Sequence, residues 1–427
     1  MRVLFAVNPG TSTFLPLVPL AWALRTAGHE VRVASQPKFA DMITQAGLTA
    51  VPVGRDLDII KLFKIYGVTE EQLEKARVGL SPPYDVADDP AKATWRHMLD
   101  GYLETVEGYK AENAPMIAGL VDFARHWQPD LVIWEPFTYS GPIAAKACGA
   151  AHARLLWSLD VFGIARDHFL RLKAEQPPEE RADPLADWLG AYGRKYGFDF
   201  TEDMATGHFT IHQLPASLSD QAGSQHYLRM RYVPHGGPAS VPKWLWTAPE
   251  RPRVALTLGF AATELFSGYT VGVQDVLDSL ADLDVELVAT VSESEQHKLD
   301  RVPDNARLVS YAPLDALAPT CSAVINHAGD GTVLTTALHA VPQLAIGYHF
   351  NEPIMARKLA AQGGALRLHP SEATGPNIRE SVLRLLREPA FRDGAIRLRD
   401  EIRALPTPNE LVPHLEELAA KHRTAPR

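Results

Sequence analysis

The chain has 427 residues, 46% of them hydrophobic and 22% charged, the composition of a globular protein long enough to bury two separate cores. Its 42 Lys and Arg against 51 Asp and Glu give a formal net charge of -9 without any basic run, which excludes nucleic acid and anionic membrane surfaces as partners. The start, MRVLFAV, shows no cleavage site, and no segment stays apolar for the roughly 18 residues of a membrane span, so the chain reads as cytoplasmic.

Short β-branched runs alternate with helical patterns, the signature of parallel α/β units. In the first half, strands are expected at Val3 to Val7, Val31 to Ala34, Thr49 to Val51, Leu131 to Trp134 and Ala153 to Leu156. Residues 55–125 and 165–230 interrupt the alternation with polar and helical sequence, an irregular insertion of the kind that builds variable ligand-contacting surface. A Pro- and Gly-rich stretch without periodicity, 234–252, reads as a linker between domains at 1–233 and 253–405. In the second domain the alternation restarts with RVALTLG at 253–259 and continues through VELVAT, ARLVSY, AVI and PQLAIG. After the break LPTP, residues 406–427 contain an amphipathic helix that is expected to pack back toward the amino-terminal domain. The fold class is therefore α/β, with two doubly wound Rossmann-like domains in tandem. No Gly-x-Gly-x-x-Gly follows the first strand, which speaks against a dehydrogenase. The only cysteines, Cys148 and Cys321, support neither a disulfide framework nor a cysteine metal site.

The stretch NHAGDGT, residues 326–332, lies between the run CSAVI and a helical pattern, at the carboxyl end of a parallel strand where such folds bind ligands. Gly329 and Gly331 let backbone approach a ligand, free amides at the helix start point outward, and the helix dipole adds partial positive charge. His327 supplies a further donor and Thr332 a hydroxyl, so a diphosphate could be held there without lysine or metal. A plainer alternative is that Asn326 and Asp330 only cap the helix and the glycines only serve the turn.

The stretches MRVLFAVNPGTSTFLPLVPLAWALRTAGHEVRVASQPKFADMITQAGLTAVPVG, WQPDLVIWEPFTYSGPIAAK, ARLLWSLD, RYVPHGGPASVPKWL and INHAGDGTVLTTALHAVPQLAI together resemble the actinomycete natural-product glycosyltransferases of the GT-B fold. The resemblance covers nearly the whole chain in order and is weakest across 55–125. It implies an interdomain cleft, a TDP-deoxysugar donor, an apolar macrolide, anthracycline or related polyketide aglycone as acceptor, and neither metal nor other cofactor. An auxiliary protein related to haem monooxygenases and a second copy of the chain are the protein partners it suggests. On the donor side it assigns His327, Gly329, Gly331 and Thr332 to the nucleotide diphosphate, and Gly259 is counted with them as donor-binding. Asn326 and Ala328 depart from the usual His-His-Gly-Gly-x-Gly-Thr, and at the position x a carboxylate, Asp330, should repel a diphosphate unless it turns to solvent while its backbone amide faces the phosphate. Asn351 and Glu352 in HFNEP fall where an acidic residue commonly meets sugar hydroxyls.

On the acceptor side, three segments reach the carboxyl ends of strands and bring Thr13, Glu135 and Asp160 to one rim. Family members invert the anomeric carbon with the help of a histidine base in the first of these loops, and Thr13 occupies that position here. A threonine hydroxyl is no base near neutral pH, so the expected substitutes are Glu135 and Asp160, each shielded by apolar neighbours that would raise its pKa. His208 and His212 are weaker candidates, read as packing residues. Asp56 with Asp58 and Asp282 with Asp284 spell Asp-x-Asp but read as solvated loop residues rather than metal ligands. Two other functions fit the loss of the histidine or the architecture: a catalytically weak nucleotide-sugar or aglycone-binding partner, and a nucleotide-sugar epimerase.

Overall fold

The computed structural model describes residues 1–58, 69, 71, 74, 77–259 and 268–424. Most of residues 59–76, within the interruption noted at 55–125, therefore lies outside the described residues. Two all-parallel sheets organise the chain. The first has the order β3-β2-β1-β4-β5-β6-β7 and the second β10-β9-β8-β11-β12-β13.

The first sheet is built from β1 (Arg2–Ala6), β2 (Glu30–Ser35), β3 (Ala50–Pro52), β4 (Leu131–Trp134), β5 (Ala151–Leu156), β6 (Phe209–His212) and β7 (Tyr227–Arg229). Every residue of β4 and β5 is buried, as expected for parallel strands covered by helices on both faces. The second sheet is built from β8 (Arg253–Thr257), β9 (Glu286–Thr290), β10 (Ala306–Val309), β11 (Ala323–Asn326), β12 (Gln343–Ala345) and β13 (Ala365–Arg367). Strands β6 and β7 lie inside 165–230, so that region extends the sheet as well as interrupting the alternation, and β13 adds an edge that the sequence did not suggest.

In each sheet the strand order reverses at one crevice, between β1 and β4 and between β8 and β11, and this is where doubly wound folds bind ligands. Register sets what lies there. Ala6 pairs with Trp134 and Trp134 with Arg154, so the residues that follow, Val7, Glu135 and Leu155, lie side by side. Thr257 pairs with Asn326 and Asn326 with Ala345, which aligns the stretch through Gly259 with His327 and Ile346.

Two helices shape the space around these crevices. The helix Trp95–Trp127 has 33 residues, capped by the Thr94 hydroxyl at its start and ended by Gln128 at a left-handed φ of 53°. At 1.5 Å per residue it spans about 50 Å, against about 13 Å for the four residues of β4, so its amino-terminal half overhangs the carboxyl edge of the sheet as a wall. The carboxyl-terminal helix Pro408–His422, opened by a capping box between Thr407 and Glu410, buries Leu411, Val412, Leu415 and Ala419 in the core that holds Phe5, Leu20 and Leu24 of the first domain. Its Glu416 pairs with His29 at 3.0 Å. The last element thus returns from the second domain to the first.

Candidate active site

The donor side is assembled around one imidazole. Gly259 has φ 73°, open to glycine at little cost, and a Cβ there would lie 2.6 Å from His327 Nε2. A Cβ on Gly329 would lie 2.3 Å from the same atom, so the ring edge occupies space that only two glycines leave. Burial lowers the pKa of His327 to about 4, opposed by the Thr257 carbonyl, and the ring is neutral at pH 7. Behind it, Asn326 is fully buried: its Nδ2 donates to Gln343 Oε1 at 2.8 Å, and its Oδ1 accepts the Ala328 amide at 2.8 Å. That second bond holds Ala328 at φ 62°, a left-handed conformation that costs an alanine about 1–2 kcal/mol. The two departures from the family pattern, Asn326 and Ala328, are thereby one device. The helix Asp330–Leu338 starts at once, with Gly331 and Thr332 half-buried on its first turn.

Asp330 corrects an expectation. Its side chain does not turn to solvent: it is 8% exposed, and its Oδ2 accepts from Asn351 Nδ2 at 2.9 Å. Burial raises its pKa to about 7, against the effect of that hydrogen bond. The same contact engages the Asn351 side chain that was expected to hydrogen-bond a sugar hydroxyl. Glu352 opens the helix Glu352–Gln362, its Oε2 accepting the amides of Tyr348 at 3.1 Å and His349 at 2.8 Å, while Oε1 stands 3.9 Å from His327 Nε2. It too is raised to about 7 by burial, against these amides and the charge of Arg77. Gly259, His327, Gly329, Asp330, Asn351 and Glu352 therefore form one group.

On the acceptor side, Thr13 is half-buried in the helix Thr11–Phe14, and its hydroxyl donates to the Gly10 carbonyl at 3.0 Å. Glu135 is fully buried and accepts from the Thr138 hydroxyl, the Phe137 amide at 3.0 Å and Trp157 Nε1 at 3.2 Å. Burial raises its pKa and these donors oppose the rise. Thr138 Oγ1 also accepts the Asn8 amide at 2.7 Å, tying the loop after β1 to the loop after β4. Asp160 belongs elsewhere. It is fully buried, accepts from Arg154 Nη2 at 2.6 Å, the Tyr227 hydroxyl at 2.6 Å and the Gly163 amide at 2.8 Å, and caps the helix Val161–Ala174. Its oxygens are thus committed to a buried arginine, a tyrosine hydroxyl and a helix amide, a geometry that gives Asp160 an anchoring role.

The structure adds residues that the sequence reading missed. Phe137, Trp157 and Phe162 from the first domain meet Phe350 from the second, with ring centroids 6.0 to 6.3 Å from Phe350. Phe350 directly precedes Asn351, so an apolar wall spanning both domains adjoins the donor group; the aromatics in WEPF, WSLDVF and HFNEP were its signal in the sequence. His208 and His212 are packing residues as read. His212 is fully buried with its pKa lowered to about 3 by burial and by Arg229. His152, Asp203 and His208 have metal-like spacing, but His152 Nδ1 accepts from Trp134 Nε1 at 3.4 Å and His208 Nδ1 accepts the His152 amide at 3.1 Å. Both rings therefore present N–H to Asp203, whose Oδ2 also holds Lys146 at 2.6 Å, and this arrangement opposes a cation. Asp56 accepts the Lys38 amide at 2.7 Å, while Asp282 pairs with Arg379 and Asp284 with Arg251. Among the described residues no helix is long and apolar enough to cross a membrane.

Two Rossmann-like domains across a cleft, one carrying a glycine-cradled histidine at a helix start and the other an enclosed carboxylate, are those of a glycosyltransferase of the GT-B fold. Residues 22–259 match the family model for the N-terminal domain of erythromycin biosynthesis protein CIII-like proteins, and residues 274–418 that for the C-terminal domain. The chain belongs to this glycosyltransferase family. It is 45% identical to the 10-deoxymethynolide desosaminyltransferase of Streptomyces venezuelae, over 100% of this chain and 99% of that protein. It is 41% identical to the aclacinomycin-T 2-deoxy-L-fucose transferase of Streptomyces galilaeus, over 99% and 97%. The crystal structure of the glycosyltransferase VinC in complex with dTDP superposes with a TM-score of 0.88 at 40% identity, covering 99% of this chain and 100% of that one.

Proposed function

We propose that the protein transfers a deoxysugar from a TDP-sugar to a hydroxyl of an apolar polyketide-type aglycone, with inversion at the anomeric carbon. The acceptor oxygen attacks that carbon as its bond to the β-phosphate oxygen breaks; the acceptor proton passes to a carboxylate of the first domain, and TDP leaves with the electron pair. Negative charge that builds on the leaving diphosphate meets His327 and the free amides at the start of helix Asp330–Leu338. Gly259 and Gly329 give access to that edge, Thr332 offers a hydroxyl, and Glu352 positions the loop that carries Asn351. In this reading Thr13 takes the place of the histidine base that the family resemblance implies and leaves the proton to another group.

The observation that carries this reading is the aromatic wall of Phe137, Trp157 and Phe350, which places apolar surface from both domains beside the donor group. The acceptors and sugars in the names of the relatives point the same way.

The test is product analysis with TDP-desosamine and with TDP-2-deoxy-L-fucose, each offered 10-deoxymethynolide or aclacinomycin T, with and without an auxiliary protein of the haem-monooxygenase-related type. A glycoside of inverted configuration is expected, and His327→Ala should weaken TDP binding and slow turnover together. An epimerised sugar, or nucleotide binding without turnover, would overturn the reading in favour of an epimerase or of a binding partner.

A further inference from the structure

We propose that Glu112, on the overhanging helix Trp95–Trp127, is the group that takes the acceptor's proton, with Glu135 as its companion carboxylate. This deepens the transferase reading and rests on it.

The placement follows from how the helix is docked. The next residue, Asn113, is fully buried; its Nδ2 donates to the Phe137 carbonyl at 2.9 Å, and its Oδ1 accepts the Ser140 amide at 2.9 Å. That turn of helix is therefore fixed on the loop that holds Glu135. One turn later, Gly54 closes on the helix so tightly that a Cβ there would lie 1.7 Å from the Pro115 carbonyl oxygen. Glu112 thus sits between the loops that follow β4 and β3, both at the carboxyl edge of the sheet where the crevice opens.

Glu112 and Glu135 differ in what they can do. Glu135 is sealed and its oxygens are occupied by the Thr138 hydroxyl, the Phe137 amide and the Trp157 indole. Glu112 is only half-buried and, among the described residues, makes no hydrogen bond or ion pair. A carboxylate held near a second one and, among the described residues, paired with no cation is poorly placed for stability and well placed to accept a proton. Burial, and then the charge of Glu135, push the Glu112 pKa up to about 7, near the working pH of a general base. Titratable groups on the elements packed here include Tyr109 on the same helix, Tyr84 from the segment Tyr84–Ala87, Tyr139, and Arg55 and Asp56 after β3, while Glu107 and Lys110 of the same helix pair with each other at 2.7 Å on its exposed side. The three tyrosines are buried and their pKa values are raised by that burial. The acceptor O–H proton moves to a Glu112 oxygen as the glycosidic bond forms and the bond to TDP breaks, and it is then released through the exposed edge of Glu112.

The experiment compares wild type, Glu112→Gln and Glu112→Asp with the sugar donors and aglycones named above, following kcat and KM from pH 5.5 to 9, TDP affinity by calorimetry, and Tm. Wild-type kcat/KM should fall on the acid side of about pH 7. Glu112→Gln should lower kcat roughly 10²- to 10⁴-fold with TDP affinity within twofold, and Glu112→Asp should recover part of the loss. Because the folded state raises this pKa above its unfolded value, the ionised group costs stability above pH 7, and Glu112→Gln should keep or raise Tm at pH 8. Glu135→Gln, which removes the neighbouring charge, should move the acid limb to lower pH. An active wild type with Glu112→Gln turnover within threefold, or a Glu112→Gln loss accompanied by a lower Tm and weaker TDP binding, would overturn the role of Glu112 and leave the transferase reading standing. A wild type that forms no glycoside from any of the pairs would sink both.

Discussion

At the scale of single residues, the donor side sets three proton-sensitive groups where a diphosphate is expected: His327, Asp330 and Glu352. An anion bound there favours the protonated form of each. Nucleotide binding should then take up protons, and wild-type TDP affinity should rise as pH falls from 8 toward 7, then flatten for the two carboxyl groups once they are protonated in the free protein. Asp330→Asn isolates one of them, and its carboxamide oxygen can still accept from Asn351. Its gain is bounded by the free energy of protonating a group of pKa about 7 at pH 8, about 1.4 kcal/mol, or roughly tenfold. Calorimetry should show that variant binding TDP more tightly at pH 8, by up to about tenfold, and equally at pH 6; equal affinity at both would mean that Asp330 does not face the nucleotide's charge. Legibility in the sequence divides along similar lines. Gly259, His327 and Gly329 could be read because close backbone approach demands glycine, and residue type records that demand. Asp160 and Glu135 look alike in sequence, each following an apolar strand, and only the inward turn of Arg154, a contact of tertiary structure, tells them apart. Glu112 has no local mark at all, since its position comes from a helix docked on loops that are distant in sequence.

At the scale of elements, the carboxyl-terminal helix links the domains through one apolar stripe. Leu411, Leu415 and Ala419 fall four residues apart and lie on one face, buried in the core of the first sheet. Leu415 is fully buried, so Leu415→Ala should cost about 2–5 kcal/mol, whereas Glu417→Ala on the exposed face should change stability by less than about 0.5 kcal/mol. Urea unfolding followed by tryptophan fluorescence would check this, and equal midpoints for the two variants would show that the helix is not part of that core. This helix was readable because its period and its break were both long enough to see. Strands β6, β7 and β13 were not. The last two, YLR and ALR, contain no β-branched residue to mark them, and β6 follows directly on Gly207 and His208. They become strands because a buried neighbour offers its edge: β5 to β6, β6 to β7, and β12 to β13.

At the scale of the whole molecule, two ion pairs cross the cleft close to the site, beside the buried core that joins the domains through Leu218, Met355 and Leu359. The helix Glu352–Gln362 begins with Glu352, beside His327, and little more than one turn later Arg357 pairs with Asp88 while Lys358 pairs with Asp220 at 2.8 Å, both partners belonging to the first domain. The backbone adds a bond from the Gly79 amide to the Tyr348 carbonyl at 2.8 Å. Half-exposed ion pairs contribute about 0–1 kcal/mol each and are screened by salt, so these two bias the closed arrangement without locking it. Substrate must enter and product leave through this cleft, and a bias of that size allows both. Because one rigid helix carries both the ion pairs and Glu352, loosening the pairs should affect capture of the donor more than the chemical step. The double variant Arg357→Ala/Lys358→Ala should raise KM for the TDP-sugar roughly threefold to tenfold with kcat within about twofold, and 0.5 M salt should produce much of the same change in wild type but little further change in the variant. X-ray scattering of the nucleotide-free protein should show a larger radius of gyration for the variant, and saturating TDP should remove most of the difference. If the variant and wild type gave the same KM and scattering at low salt, the ion pairs would have no part in closure, which would then rest on the other contacts between the domains, among them the aromatic wall, the Gly79–Tyr348 backbone bond and the bond from the Ser217 amide to Glu401 at 2.9 Å.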